Sequence, residues 1–181
     1  MTLNRQDFTF FQNVHIALSS LAFGVTLSIF LYTYSSGILQ NTAHWLLYIA
    51  TFLLMLRFWY QYMTFYGKEL PSHTFSQFLF DFLIAFLGNI AILSVANMAA
   101  WTVSMSLALL AASARCKLAK PDADQKHKKQ LIAIAKRCVI LIVILGLIWF
   151  FVTKPFGAVP ASMAVFILTV GHLVYTWKKE G

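Results

Sequence analysis

Apolar runs, most of them long enough to cross a bilayer and separated by short polar links, take up most of the sequence between Phe10 and Trp177. A crossing helix needs about 20 mostly apolar residues, and in hydrocarbon only helices and closed barrels satisfy their own backbone hydrogen bonds. The runs read as spans over residues 10–34, 45–67, 75–94, 99–113, 131–153 and 161–177. Little length is left for a soluble domain. The expected fold class is therefore all-α, a polytopic transmembrane helix bundle forming one integral membrane domain over residues 1–181. Only 11% of residues are charged, against about 25% in soluble domains. The first run is long enough to span and follows a segment with one Arg and one Asp, so it is expected to stay in the mature protein.

The number of crossings turns on residues 75–113. As one helix continued to Arg115 this stretch would be about 60 Å long, more than the ~40–45 Å of a bilayer with its headgroups. Length favours a hairpin near Ser94–Met98, with Asn97 as its turn-prone residue, and hence six spans. A single long helix would give five, because no Gly or Pro marks the turn.

Two charges stand inside the second and third runs, Arg57 and Asp81. Each costs roughly 2.5–3.5 kcal/mol at the centre of an isolated span, so both should face the bundle interior, a partner or water. Antiparallel packing would put Gln61 and Asp81 at nearly equal depth. Arg57, one turn deeper on the face of Gln61, is expected to reach Asp81, and Thr64 and Lys68 continue that stripe. On the third run Gln77, Asp81, Ala85 and Asn89, with Gly88 beside them, form a small and polar face of the kind helix interfaces in lipid use. The candidate intramembrane polar site is thus Arg57, Gln61, Asp81, Asn89 and Gln77, with Trp59 and Tyr60 as aromatic neighbours. The pair lines a permeation path or else fixes helix register.

The net charge is +8, and eight of the fourteen basic residues fall between Arg115 and Arg137. Retention of Lys and Arg on the cytoplasmic side places a loop over residues 115–130, and the carboxy terminus, inside. Lys136 and Arg137 would snorkel at the boundary of the next span. Arg115, Lys117, Lys120, Lys126, Lys128 and Lys129 are candidates for contact with anionic headgroups or a soluble cytoplasmic partner. The loop lacks the interleaved aromatics of a nucleic-acid surface. Cys116 and Cys138 sit at its edges, where a reducing compartment disfavours a disulfide.

In the first run Gln12, His15, Ser19, Ala22 and Thr26 lie near one face and should point into the bundle. Val139–Val152 reads as the most lipid-exposed stretch, and Lys154–Pro160 as a short outer turn. His15 and His172 are candidates for a proton-linked role. The histidines are otherwise scattered, and no nucleophile, phosphate-loop or CxxC motif occurs. No cofactor, metal or enzymatic activity is expected. The functional expectation is a channel or transporter subunit for an ion or small solute, in a bacterial inner membrane, acting as a homo-oligomer or within a membrane complex. The alternative is a noncatalytic sensor or anchor that recruits a soluble protein through the basic loop.

Overall fold

The computed structural model describes residues 5–69, 75–118 and 125–180. All regular structure in them is helical: α1 (Arg5–Ser35), α2 (Thr42–Glu69), α3 (Phe75–Leu93), α4 (Met98–Leu118), α5 (Gln125–Ile148), a π-helical turn (Trp149–Thr153), the short α6 (Lys154–Phe156) and α7 (Ala158–Glu180). Five stretches are long and apolar enough to cross a membrane: Thr42–Gln61, Ser76–Leu93, Met98–Leu118, Lys128–Phe156 and Ala158–Lys178. In α1, Ser20–Ser35 is a shorter apolar helix.

The hairpin between α3 and α4 forms where length required it. Ser94 to Ala96 turn, and the Asn97 side chain accepts hydrogen bonds from the amides of Ala99 and Ala100, both at 3.1 Å. That is an N-cap, which satisfies helix-end donors no backbone carbonyl can reach. At the α1–α2 junction the Asn41 side chain caps α2 through the His44 amide at 3.1 Å. His44 Nδ1 donates to the Ile38 carbonyl at 2.9 Å, which assigns its proton to that nitrogen.

Two expected loops are shorter than the sequence suggested. Arg115 and Lys117 belong to α4, and Gln125–Gln130 belong to α5. The outer turn narrows to Gly157, whose φ of +87° lies in the left-handed region that glycine adopts without a Cβ clash. Neither proline lengthens it: Pro155 stands in the last turn of the helix that runs continuously from α5 through the π-helical turn, and Pro160 in the first turn of α7, where a missing amide leaves no bond unmade.

Successive helices alternate in direction. One end of the bundle, here the basic end, gathers the start of α1, the end of α2, the start of α3, the end of α4, the start of α5 and the end of α7. The α1–α2 junction, the Asn97 turn and Gly157 lie at the opposite end. The closest pairings are α3 with α4, α4 with α5, and α2 with α7. Helix α1 packs along α3 and meets α2 through edge-on rings, Phe23 with Trp59 and Phe30 with both Phe52 and Tyr48.

The main core lies toward the opposite end, where Trp101, Leu47, Ala50, Ala91, Val95 and Val165 have at most 1% exposure. Trp101 Nε1 donates to Thr51 Oγ1 at 2.8 Å, and Thr51 in turn donates to the Leu47 carbonyl at 2.6 Å. An indole buried this fully needs such an acceptor. The outward faces are apolar: Val139, Ile140, Val143, Leu147, Phe150 and Phe151 all stand exposed on the α5 side. The Lys128–Phe156 and Ala158–Lys178 spans are the most open of the five, each 22% buried, so the span holding Val139–Val152 shares that position with α7. These exposed apolar faces belong to helices long and apolar enough to cross a membrane.

Candidate functional site

The small and polar face of α3 turns inward as its spacing predicts: Gln77, Asp81, Ala85, Gly88 and Asn89 are all buried. A Cβ at Gly88 would meet the Met55 sulfur of α2, the far end of a flexible side chain that would have to shift. Residues of α2 and α3 line one cavity.

Asp81 pairs with Arg115. Arg115 Nε donates to Asp81 Oδ1 at 3.0 Å, with both side chains about a tenth exposed. The assignment of Arg115 to a solvent-facing loop is therefore corrected. It stands in the last turn of α4 and points into the bundle, because α4 runs on to Leu118 and a residue three positions before its end still faces α3. Gln77 supports the same junction, its amide nitrogen donating to the Leu118 carbonyl at 3.2 Å. That bond satisfies a helix-end acceptor, which gives Gln77 a structural task.

Arg57 and Gln61 line the same cavity as Asp81, as their i, i+4 spacing and depth suggested. The cavity measures about 130 Å³ and lies among α2, α3, α4, α5 and α7. Its charged and polar lining consists of Arg57, Gln61, Asp81, Arg115, Arg137 and His172, with the thiols of Cys116 and Cys138. Arg137 is the second correction. Lys136 is exposed as expected, but Arg137, about 100° further round the helix, turns inward and also stacks 5.5 Å from the ring of Tyr175.

These polar groups lie on the parts of their helices nearer the basic end, where Arg115 meets Asp81 and Gln77 meets the Leu118 carbonyl. Away from the basic end the walls become apolar, with Leu54, Met55, Ile84, Met105, Leu109 and Leu141. Beyond them stands the tight core around Trp101, so the cavity is blind on that side.

The remaining candidates separate from the cavity. Trp59 is buried between Phe23 and Phe58. It lines a smaller recess with Ala22, Phe78 and Asp81. Tyr60 is exposed, and the Arg57 guanidinium lies 5.3 Å from its ring centre. Asn89 is buried two turns deeper than Asp81, and its Oδ1 accepts no hydrogen bond among the described residues. Lys117, Lys128 and Lys129 are exposed at the basic end. Ala22 and Thr26 of the α1 face are half-buried and buried. Lys120 and the side chains of Gln12, His15, Ser19, Thr64, Lys68 and Lys126 lie outside the described residues.

Cys116 and Cys138 are not joined by a disulfide. Among the described residues, no three His, Cys, Asp or Glu side chains converge as a metal site would need. The arrangement is suited to binding negative charge. Arginine presents several N–H donors in a fixed fork, stays protonated, and is more weakly hydrated than lysine, which favours it in partly buried anion sites. Comparison with known protein families, curated proteins and solved structures returned no match.

Proposed function

We propose that this protein is a membrane-embedded carrier, or the substrate-binding subunit of one, for a small anionic solute taken up at the basic end of the bundle. The observation that carries this reading is the convergence of Arg57, Arg115 and Arg137 on one cavity that holds a single described carboxylate, Asp81. Three arginines and His172 on the wall of one cavity favour the approach of anions.

The blind inner end favours a carrier over an open channel. A solute crossing the membrane would have to displace the Trp101 core, which calls for alternating access of the kind in which helices rock around a fixed site. Under the positive-inside rule the basic end is cytoplasmic.

The test is flux in liposomes containing the purified protein, with organic and inorganic anions compared with cations. Wild type should move or exchange anions. Asp81→Asn should alter the rate or selectivity while the protein keeps its helical content and elution profile. Cation-selective flux, or no anion flux and no anion binding over a range of gradients, would sink the reading.

A further inference from the structure

The seam between α5 and α7 carries a second pattern of charge, on the outside of the bundle. We propose that this seam binds one anionic phospholipid at the basic end, with its headgroup on Lys129, Lys136 and Lys178 and an acyl chain lying along the two helices.

Helical geometry places the residues. Arg137 of α5 stacks across the seam on the ring of Tyr175 of α7, 5.5 Å from its centre. At about 100° per residue, the cavity-lining Leu131, Ile134, Cys138 and Leu141 all lie to one side of Arg137, and the cavity-lining His172 lies to the corresponding side of Tyr175. The other side of each helix faces outward. On α5 it presents Lys129, Lys136, Ile140, Val143 and Leu147, all exposed and within about 60° of one another. On α7 it presents Ile167, Gly171, Val174 and Lys178, exposed and again within about 60°. Lys136 precedes Arg137 and Lys178 stands one turn beyond Tyr175, so on these antiparallel helices both lysines lie on the basic-end side of the stack.

Chemistry then selects the occupant. On both helices the stripe changes from lysine to branched apolar side chains with distance from the basic end. A soluble anion would cover only the first part, whereas a phospholipid has a charged head for one and a chain for the other. None of the three lysines forms an ion pair with another described residue. A lysine at a membrane boundary lays its stem along apolar surface and places the ammonium among the headgroups. Trp177, 78% exposed beside Lys178, is of the residue type that settles at the same level. Basic clusters between helices at the cytoplasmic boundary take up heads of net negative charge. Gly171 gives the chain room, because a Cβ there would meet nothing within 4 Å.

The experiment is native mass spectrometry of the purified full-length protein in detergent, titrated with phosphatidylglycerol, phosphatidylcholine of the same chains, or glycerol 3-phosphate. One phosphatidylglycerol should bind at least tenfold more tightly than phosphatidylcholine. Lys136→Gln combined with Lys178→Gln should weaken it roughly 25-fold, about fivefold for each lysine near a headgroup. Lys117→Gln combined with Lys128→Gln removes the same charge from the same end, but Lys117 is on α4 and Lys128 lies about 180° round α5 from Arg137. That variant should change binding by less than about threefold. Gly171→Phe fills the groove without altering charge and should weaken binding at least fivefold. Every variant is compared at matched elution profile and melting temperature, so lost binding is separated from misfolding.

Equal affinity for phosphatidylglycerol and phosphatidylcholine would overturn the anionic site. Equal losses in the two lysine pairs would show attraction to surface charge in general and overturn its place on the seam. Unchanged binding in Gly171→Phe would overturn the seat of the chain. Competition by glycerol 3-phosphate at the concentration of the lipid itself would mean a soluble anion instead.

Discussion

Arg115 Nε meets Asp81 Oδ1 at 3.0 Å and ties α4 to α3 at the end of their hairpin farthest from the Asn97 turn. The hairpin is thus closed at both ends, by a helix cap at one and a buried ion pair at the other. The same pair forms part of the cavity wall, so a change to it alters both helix packing and the charge of the cavity.

Breaking this pair from one side should be far more damaging than replacing it whole. Asp81→Leu or Arg115→Met alone leaves a buried charge with its partner removed, and about 3–5 kcal/mol of stability should be lost. The double variant should recover much of that loss, and so should the exchange of Asp81→Arg with Arg115→Asp. Unfolding titrations in mixed micelles of all four variants check this; additive losses in the double variant would show that the two groups are not coupled.

Met55 of α2 lies against Gly88 of α3. Gly88→Val places a branched side chain where the Met55 sulfur sits, and because the flexible Met end can turn aside the cost should fall at the low end of the roughly 1–3 kcal/mol of overpacking. Combined with Met55→Ala, it should be less harmful than the sum of the single changes, a positive coupling that a double-mutant cycle of melting temperatures would detect.

Trp101 holds the opposite half of the bundle. Trp101→Phe keeps much of the ring volume and removes the donor to Thr51, which should lower stability by about 1–2 kcal/mol, in the range of interhelical hydrogen bonds in membranes. Trp101→Ala should cost about 3–5 kcal/mol through the cavity it leaves. Thermal melts of the two variants should keep this order; a Phe variant as stable as wild type would mean that the hydrogen bond contributes nothing.

The alternation of helices predicts which positions share a side of the membrane. After Cys116→Ala and Cys138→Ala, single cysteines at Lys117, Lys128 and Lys178 should react with an impermeant thiol reagent from one side. Cysteines at Ser36, Ala96 and Gly157 should react only from the other. The start of α1 falls with the first group, so a cysteine at Thr2 labelled from the second side would contradict a six-crossing arrangement and mean that α1 does not cross.

What the sequence determined by itself follows from local rules. Apolar run lengths and the bilayer thickness they must match dictate helices and their approximate limits, and the length of residues 75–113 alone calls for a hairpin at Asn97. The inward face of α3 is equally local, since Gln77, Asp81, Ala85 and Asn89 recur at helical spacing among Phe, Leu and Ile. Tertiary structure decided which charges meet. Seen along the chain, Asp81 has its nearest intramembrane opposite in Arg57, while Arg115 looks like one more member of a basic topology signal. The two readings differ only in where α4 ends and which way its last turn faces, and neither is set by the residues of α4 alone. Arg137 shows the same limit: its neighbour Lys136 faces out, and only the packing of α5 against α4 and α7 assigns Arg137 to the cavity. A charged side chain near a membrane boundary has two low-energy destinations, water or a partner, and the choice depends on residues far away in sequence that supply the partner.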